Sequence, residues 1–235
     1  MTERGAGALQ RTANECVIGP SALCWDGSML TIHINERTMP FGKKLRGVVR
    51  VRPQALTART FALDEAGLHR WSPMVPRAHV EVDLQSPVLR WSGSGYLDSN
   101  EGAAPLENSF AGWHWSRAAV GAETAILYDV QPLSGAGTVL ALAIDRHGGV
   151  TPFDAPPPVT LRRTRWGVPR VTRADAGSAS VQRTLEDTPF YARSVLATQV
   201  LGRDTIAIHE SLSLTRFRSP WVQAILPFRM PRVGR

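Results

Sequence analysis

Between Gly95 and Arg117 the chain gathers a carboxyl group that can exchange a proton and several aromatic rings that can face a cation. Read as a strand, Gly95-Tyr-Leu-Asp-Ser-Asn-Glu-Gly102 places Tyr96, Asp98 and Asn100 on one face and Leu97 and Ser99 on the other, because strand side chains alternate. In Trp113-His-Trp-Ser-Arg117 the same alternation groups Trp113, Trp115 and Arg117, with His114 and Ser116 opposite. A strand that only fills a core does not carry Asp, Asn and Arg on the face that holds its aromatics. Two readings stand side by side here. The stretch is either a polar barrel rim or site, or a turn-rich hairpin with a solvated Asp-Ser-Asn-Glu-Gly end.

The elements that must position these residues are strands. Glu15–Gly19, Ser28–Asn35, Arg46–Arg52, Ala78–Leu84, Val88–Gly93, Glu123–Val130 and Thr138–Asp145 all read as strands, broken by Gly, Pro, Asp and Asn. Thr160–Arg165, Val181–Leu185, Tyr191–Leu201 and Asp204–Leu214 complete the set. Asp26-Gly27 supplies a tight turn, and Phe153–Pro158 is a loop. Helical turns are conceivable only at Asp64–Arg70 and Arg193–Val200. This spacing predicts an all-β protein, a sandwich or an up-and-down barrel. Breakers at Trp71-Ser-Pro-Met-Val-Pro76 suggest a connector over 67–77, between a domain at 1–66 and another at 78–235. The chain enters at Met1-Thr-Glu-Arg without a leading strand, so an edge of the first domain is expected to be unpaired.

With 235 residues and 43% hydrophobic content the chain fits one large or two small globular domains. No apolar run is long enough for a membrane-spanning helix, and Met1 is not followed by a signal-peptide core. Cys16 and Cys24 match no metal spacing and read as a reduced, cytoplasmic pair. His79, Glu81 and Asp83 share a face but read as a solvated strand surface, so no metal site is expected.

The net charge of +7 is mostly arginine, concentrated in Leu161–Arg170 and in the tail from Arg203. No helix-turn-helix, zinc or aromatic RNA-binding signature accompanies it, which argues against nucleic acid. A solvated basic face or an anionic membrane surface remains.

Ser94–Leu106 and Trp113-His-Trp-Ser-Arg117 closely resemble the carotenoid 1,2-hydratases, also called hydroxyneurosporene synthases. Leu45-Arg-Gly-Val-Val49, His69-Arg-Trp-Ser-Pro73, Arg165-Trp-Gly167 and Pro220–Arg232 extend the likeness over nearly the whole chain. The resemblance implies two lipocalin-like antiparallel β-barrel domains. Known members carry a tryptophan- and tyrosine-rich segment ahead of the part like Met1-Thr-Glu-Arg, so the first domain is expected to be incomplete. The implied activity is addition of water across the terminal C1–C2 double bond of an acyclic carotenoid of neurosporene or lycopene type. The implied residues are His69 and Trp71, then Tyr96 and Asp98.

Hydration of an isolated alkene needs a proton on carbon, then capture of a tertiary carbocation by water. It needs no metal, nicotinamide or flavin, so a cofactor-independent hydro-lyase is expected. The donor must be an acid held protonated, which an apolar aromatic setting favours, and that role falls to Asp98. Trp71 and Tyr96 would face the cation. His69 would orient water, an imidazole being suited to accept its proton. Strand alternation adds Trp113, Trp115, Asn100 and Arg117 as substrate-binding residues. His209-Glu210 and Asp129 rank low as acid or base. The substrate would be drawn from a membrane, with peripheral contact through anionic lipid. The competing readings are a non-catalytic lipocalin-like binder of a hydrophobic ligand and a polyene cyclase of the same superfamily.

Overall fold

A computed structural model describes residues 4–38 and 41–226. Strands dominate, as the alternating patterns require. They are β1 (Leu9–Arg11), β2 (Glu15–Ile18), β3 (Ser21–Trp25), β4 (Leu30–Arg37), β5 (Lys44–Pro53), β6 (Phe61–Ala62), β7 (His69–Ser86) and β8 (Val88–Gly102). After the single helical turn α1 (Leu106–Ser109) come β9 (Phe110–Val120), β10 (Glu123–Pro132), β11 (Thr138–Ile144), β12 (Val150–Pro152), β13 (Pro158–Leu161) and β14 (Arg170–Arg173). The chain continues through β15 (Ala179–Asp187), β16 (Tyr191–Val200), β17 (Arg203–Ser213), α2 (Leu214–Phe217) and α3 (Pro220–Ile225).

Two compact units interleave along the chain. The first holds the described residues up to 55, together with 75–97 and 223–226. In it β1 to β5 run as an antiparallel meander, and β5 pairs with the later part of β7 from Ala78 to Ser86. Asp26 turns β3 into β4 as its sequence suggests. Its Oδ1 accepts the N–H groups of Ser28 (2.8 Å) and Met29 (2.7 Å), and Gly27 takes φ +97°. Val51, Val75 and Ala78 form a small core, with Leu30, Ile32, Val49, Val80 and Leu97 packed on it. Gly95 is required where β8 meets β7, since a Cβ there would come within 2.3 Å of Val80 Cγ2.

The second unit comprises Leu56–Met74 and Asp98–Val222. Its seven-stranded antiparallel sheet has the order β12-β11-β10-β9-β17-β16-β15, with the β13–β14 pair beside it. Tight turns set the register. At Gly121-Ala122, with Gly121 at φ +58°, β9 folds back on β10 and Trp115 lands opposite Tyr128. At Leu201-Gly202, both with positive φ, β16 meets β17 and Arg193 lands opposite Glu210. One sheet face packs Ala118, Val120, Leu127, Leu196 and Val200 into the larger core, with Leu161 of β13 against it. Full burial of each aliphatic side chain contributes about 1.5–3 kcal/mol.

The antiparallel all-β expectation holds, and the structure differs from it in detail. Neither large sheet closes into a barrel among the described residues; each strand order runs from edge to edge. The breaker-rich stretch Trp71–Pro76 is extended chain inside β7, not an irregular link. Its prolines are tolerated because the neighbouring bonds use carbonyls: Pro73 O accepts from Thr57 Oγ1 (2.7 Å) and Met74 O from Thr57 N (3.0 Å). Likewise Arg193–Val200 is strand, and the described part of the carboxyl-terminal tail is the short helix α3. The rest of that tail, from 227 onward, lies outside the described residues, as does Met1-Thr-Glu.

Candidate functional site

The strand reading of Gly95–Gly102 prevails over the hairpin-end reading, because β8 runs unbroken to Gly102. Within the second unit this brings Asp98 against Trp71, a residue 27 positions earlier on β7. Trp71 is 1% exposed, and its Nε1–H donates to Asp98 Oδ2 at 2.8 Å. Indole nitrogen is only a donor, so Oδ2 is fixed as the acceptor of this bond.

Tyr128 completes the cluster. Its ring meets Trp71 edge-on (5.3 Å between centroids, 80°) and Trp113 edge-on (6.3 Å, 77°). Phe61 packs against Trp71 from another side at 5.9 Å. Burial pushes the Tyr128 hydroxyl far up from its ordinary pKa, and the carboxylates of Asp98 and Glu210 add to the shift. The phenol therefore stays neutral. Trp115, also buried, is the direct register partner of both Tyr128 and Glu210. Glu210 is clamped by Arg193, whose Nε and Nη2 reach Oε1 at 2.9 and 2.8 Å. One sheet face thus presents Tyr128, Trp115, Glu210 and Arg193 in a row.

His69 is held separately at the start of β7. Asp64 anchors the backbone there, its carboxylate accepting the N–H groups of Leu68 and His69, each at 2.9 Å. The imidazole is 1% exposed, lies edge-on to Phe110 (4.9 Å) and shares a hydrogen bond between Nε2 and Ser109 Oγ (3.0 Å). Its Nδ1 is buried without a hydrogen-bond partner. Gly102 makes room for the ring, since a Cβ there would come within 2.4 Å of Nδ1. His69 and Trp71 project to the same side of β7, being two residues apart.

The remaining sequence-derived residues fall out as follows. Tyr96 is half-buried on β8, two positions before Asp98, and belongs to the first unit. Asn100 is exposed, two positions after Asp98. Arg117 continues the Trp113–Trp115 face, opposite Ile126 and Ile208. Sequence reasoning missed Tyr128, Ser109 and Asp64. Tyr128 alone left a signal, because counting outward from the Gly121 turn sets it opposite Trp115. His209 is fully buried on the other sheet face from Glu210, and Asp129 is taken by Arg173 at 2.8 Å. His79 lies 3.7 Å from Glu81 on an exposed surface, while Asp83 pairs with Arg90.

The family model described as carotenoid hydratase CrtC matches residues 1–235. The acyclic carotenoid 1,2-hydratase of Thiocapsa roseopersicina is 52% identical over 236 residues, covering 100% of this chain and 58% of that protein. The protein of the same name from Rubrivivax gelatinosus is 43% identical, covering 99% and 58%. The one from Rhodobacter capsulatus is 41% identical, covering 99% and 83%. The chain therefore spans little more than half the length of the first two relatives. Among solved structures, a putative AttH from Nitrosomonas europaea superposes with a TM-score of 0.55 at 12% identity, over 89% of this chain and 72% of that one. CghA with Sch210972 superposes at 0.54 and 13% identity, over 85% and 70%. Both likenesses concern the lipocalin-like fold alone.

Proposed function

Because this chain belongs to the carotenoid hydratase CrtC family, we propose that it adds water across the terminal C1–C2 double bond of an acyclic carotenoid of neurosporene or lycopene type. The observation that carries the proposal is the indole-to-carboxyl bond from Trp71 to Asp98, set against the buried ring of Tyr128.

In this reading the Asp98 carboxyl delivers a proton to C2, and the π pair of the alkene becomes the new C–H bond. The tertiary cation left at C1 faces Tyr128, Trp71 and Trp113, whose rings offer negative π-faces. Water adds to C1 and loses a proton, and a proton returns to Asp98, so the sum is one water per double bond. Trp71 orients the carboxyl, and the neutral Tyr128 phenol adds no charge of its own. His69, its Nε2 on Ser109 and its Nδ1 without a hydrogen-bond partner, is the base proposed to take the proton of the attacking water. Trp115, Asn100 and Arg117 are proposed to line the path of the polyene. No step calls on a cofactor.

The test is to express the chain in cells that accumulate lycopene and to analyse the extracted pigments. Hydration yields a more polar product heavier by one water, or by two where both ends react. Cyclisation would leave the mass unchanged, and a binder would leave the pigment untouched. Either of those outcomes from folded protein removes the proposal. Trp71→Phe keeps most of the ring and deletes the N–H, so the rate is expected to fall about 10–100-fold with little change in KM.

A further inference from the structure

A second feature of the second unit lies away from the Asp98 cluster. Trp166 and Trp221 stack on each other, with centroids 6.0 Å apart and planes 22° apart, yet remain 49% and 47% exposed. Such large apolar rings are usually covered. These are also held in place. Arg216 donates from Nη2 to the Trp166 carbonyl (2.6 Å) and from Nε to that of Pro189 (2.5 Å), and Val222, beside Trp221, is fully buried.

Next to Trp166 the chain is strongly cationic. Arg162, Arg163, Arg165 and Arg183 are exposed and line an open depression of about 810 Å³. The buried Arg170 braces its wall, donating to the Arg162 carbonyl (2.7 Å) and to Thr184 Oγ1 (3.0 Å). Among the described residues only two carboxylates, Glu186 and Asp187, stand against these arginines, so positive charge prevails.

We propose that the Trp166–Trp221 pair and these four arginines form a docking surface for an anionic phospholipid bilayer. Guanidinium groups match phosphodiester oxygens in a two-pronged fashion, and indoles settle at the level of lipid headgroups. Exposed indoles beside a cationic depression fit a surface that is anionic above and apolar below. Single-stranded nucleic acid, the other polyanion, is bound along a groove by successive stacking aromatics, whereas here the two indoles pair with each other beside the depression. The proposal goes beyond the hydratase reading and is tested without substrate.

The experiment is cosedimentation of the 235-residue chain with vesicles of phosphatidylcholine, alone or mixed with phosphatidylglycerol. Binding is expected only to the mixed vesicles, and salt should release it. Trp166→Ala with Trp221→Ala should weaken partitioning about tenfold, and changing the four arginines to Gln should weaken it on the order of 100-fold. Lipids brominated along the acyl chain should quench tryptophan fluorescence in the unsubstituted protein and not in the double Trp variant. All substituted side chains are exposed, and circular dichroism checks that the fold is kept. Equal binding to both vesicle types overturns the proposal. So does loss on removing the arginines with no effect of removing the indoles, which marks a general polyanion surface.

Discussion

Asp98→Asn is expected to abolish hydration while leaving the protein folded and able to bind polyene. The asparagine side chain has the same shape, and its amide oxygen can still accept from Trp71 Nε1, so the contact at 2.8 Å has a substitute. What disappears, in the proposed mechanism, is the acid group that would deliver the proton. An amide N–H is far too weak an acid to protonate an alkene carbon. General acid catalysis contributes typically 10²–10⁴-fold, and here the proton is also the reaction's only electrophile, so a fall of at least about 10³-fold is expected. That corresponds to about 4 kcal/mol in the barrier. Asp98 is only half-buried, so unfolding free energy should change by less than about 1 kcal/mol. Pigment turnover above roughly a tenth of the original rate in the Asn variant would mean that another group delivers the proton.

The second large effect concerns stability in acid. On the opposite sheet face from Trp115, the His114 and His209 rings stack at 6.2 Å and 12°, and both are buried. Desolvation lowers each pKa from 6.5 to about 4; for His209 the neighbouring His114 and Arg170 add to the effect, and the Val171 carbonyl opposes it. That carbonyl accepts from His209 Nε2 at 2.9 Å, so Nε2 carries the hydrogen and Nδ1 is a bare, buried lone pair without a partner. His114 shares its Nδ1 with Ser211 Oγ at 2.9 Å. Since the folded pKa lies below the unfolded one, the unfolded chain takes up protons first as pH falls. Stability is therefore held above pH 6.5 and lost as pH falls from 6.5 towards 4. At pH 5 the loss is about 2 kcal/mol per histidine, an upper figure for the pair because the two sites are coupled. The Asp129 carboxyl works the other way, because burial raises its pKa against the pull of Arg173. Urea unfolding at pH 7 and pH 5 measures the difference, and equal midpoints would contradict a neutral buried pair.

The strands around the site were legible because turn chemistry and alternation agree. Asp26-Gly27, Gly121 and Leu201-Gly202 each close a tight hairpin, and from Gly121 the facing of Trp115 and Tyr128 follows by counting. Alternation also put Trp113 and Trp115 on one face correctly. The Trp71–Asp98 bond was not legible from spacing. It joins side chains 27 positions apart, one on β7 and one on β8, and no local pattern encodes it. Alternation drew attention to Asp98, but only the resemblance singled out Trp71. Trp71–Pro76 misled for a physical reason, because prolines break a strand only where a ladder N–H is needed, and here Thr57 supplies the hydrogens. Barrel closure was beyond the sequence as well, since it depends on the meeting of strands far apart in the chain. His69 was found as a residue type, but its hold by Asp64 and Ser109 spans 5 and 40 positions and no local pattern encodes it.

The measurement that tests the central claim most directly is hydration of lycopene by the purified chain in deuterium oxide, with the product examined by mass spectrometry and proton NMR. Proton delivery from Asp98 to C2 predicts a single non-exchangeable deuterium at C2 beside the new hydroxyl at C1, because the carboxyl proton equilibrates with solvent before each turnover. A hydrated product carrying no deuterium on carbon would contradict an acid-delivered proton.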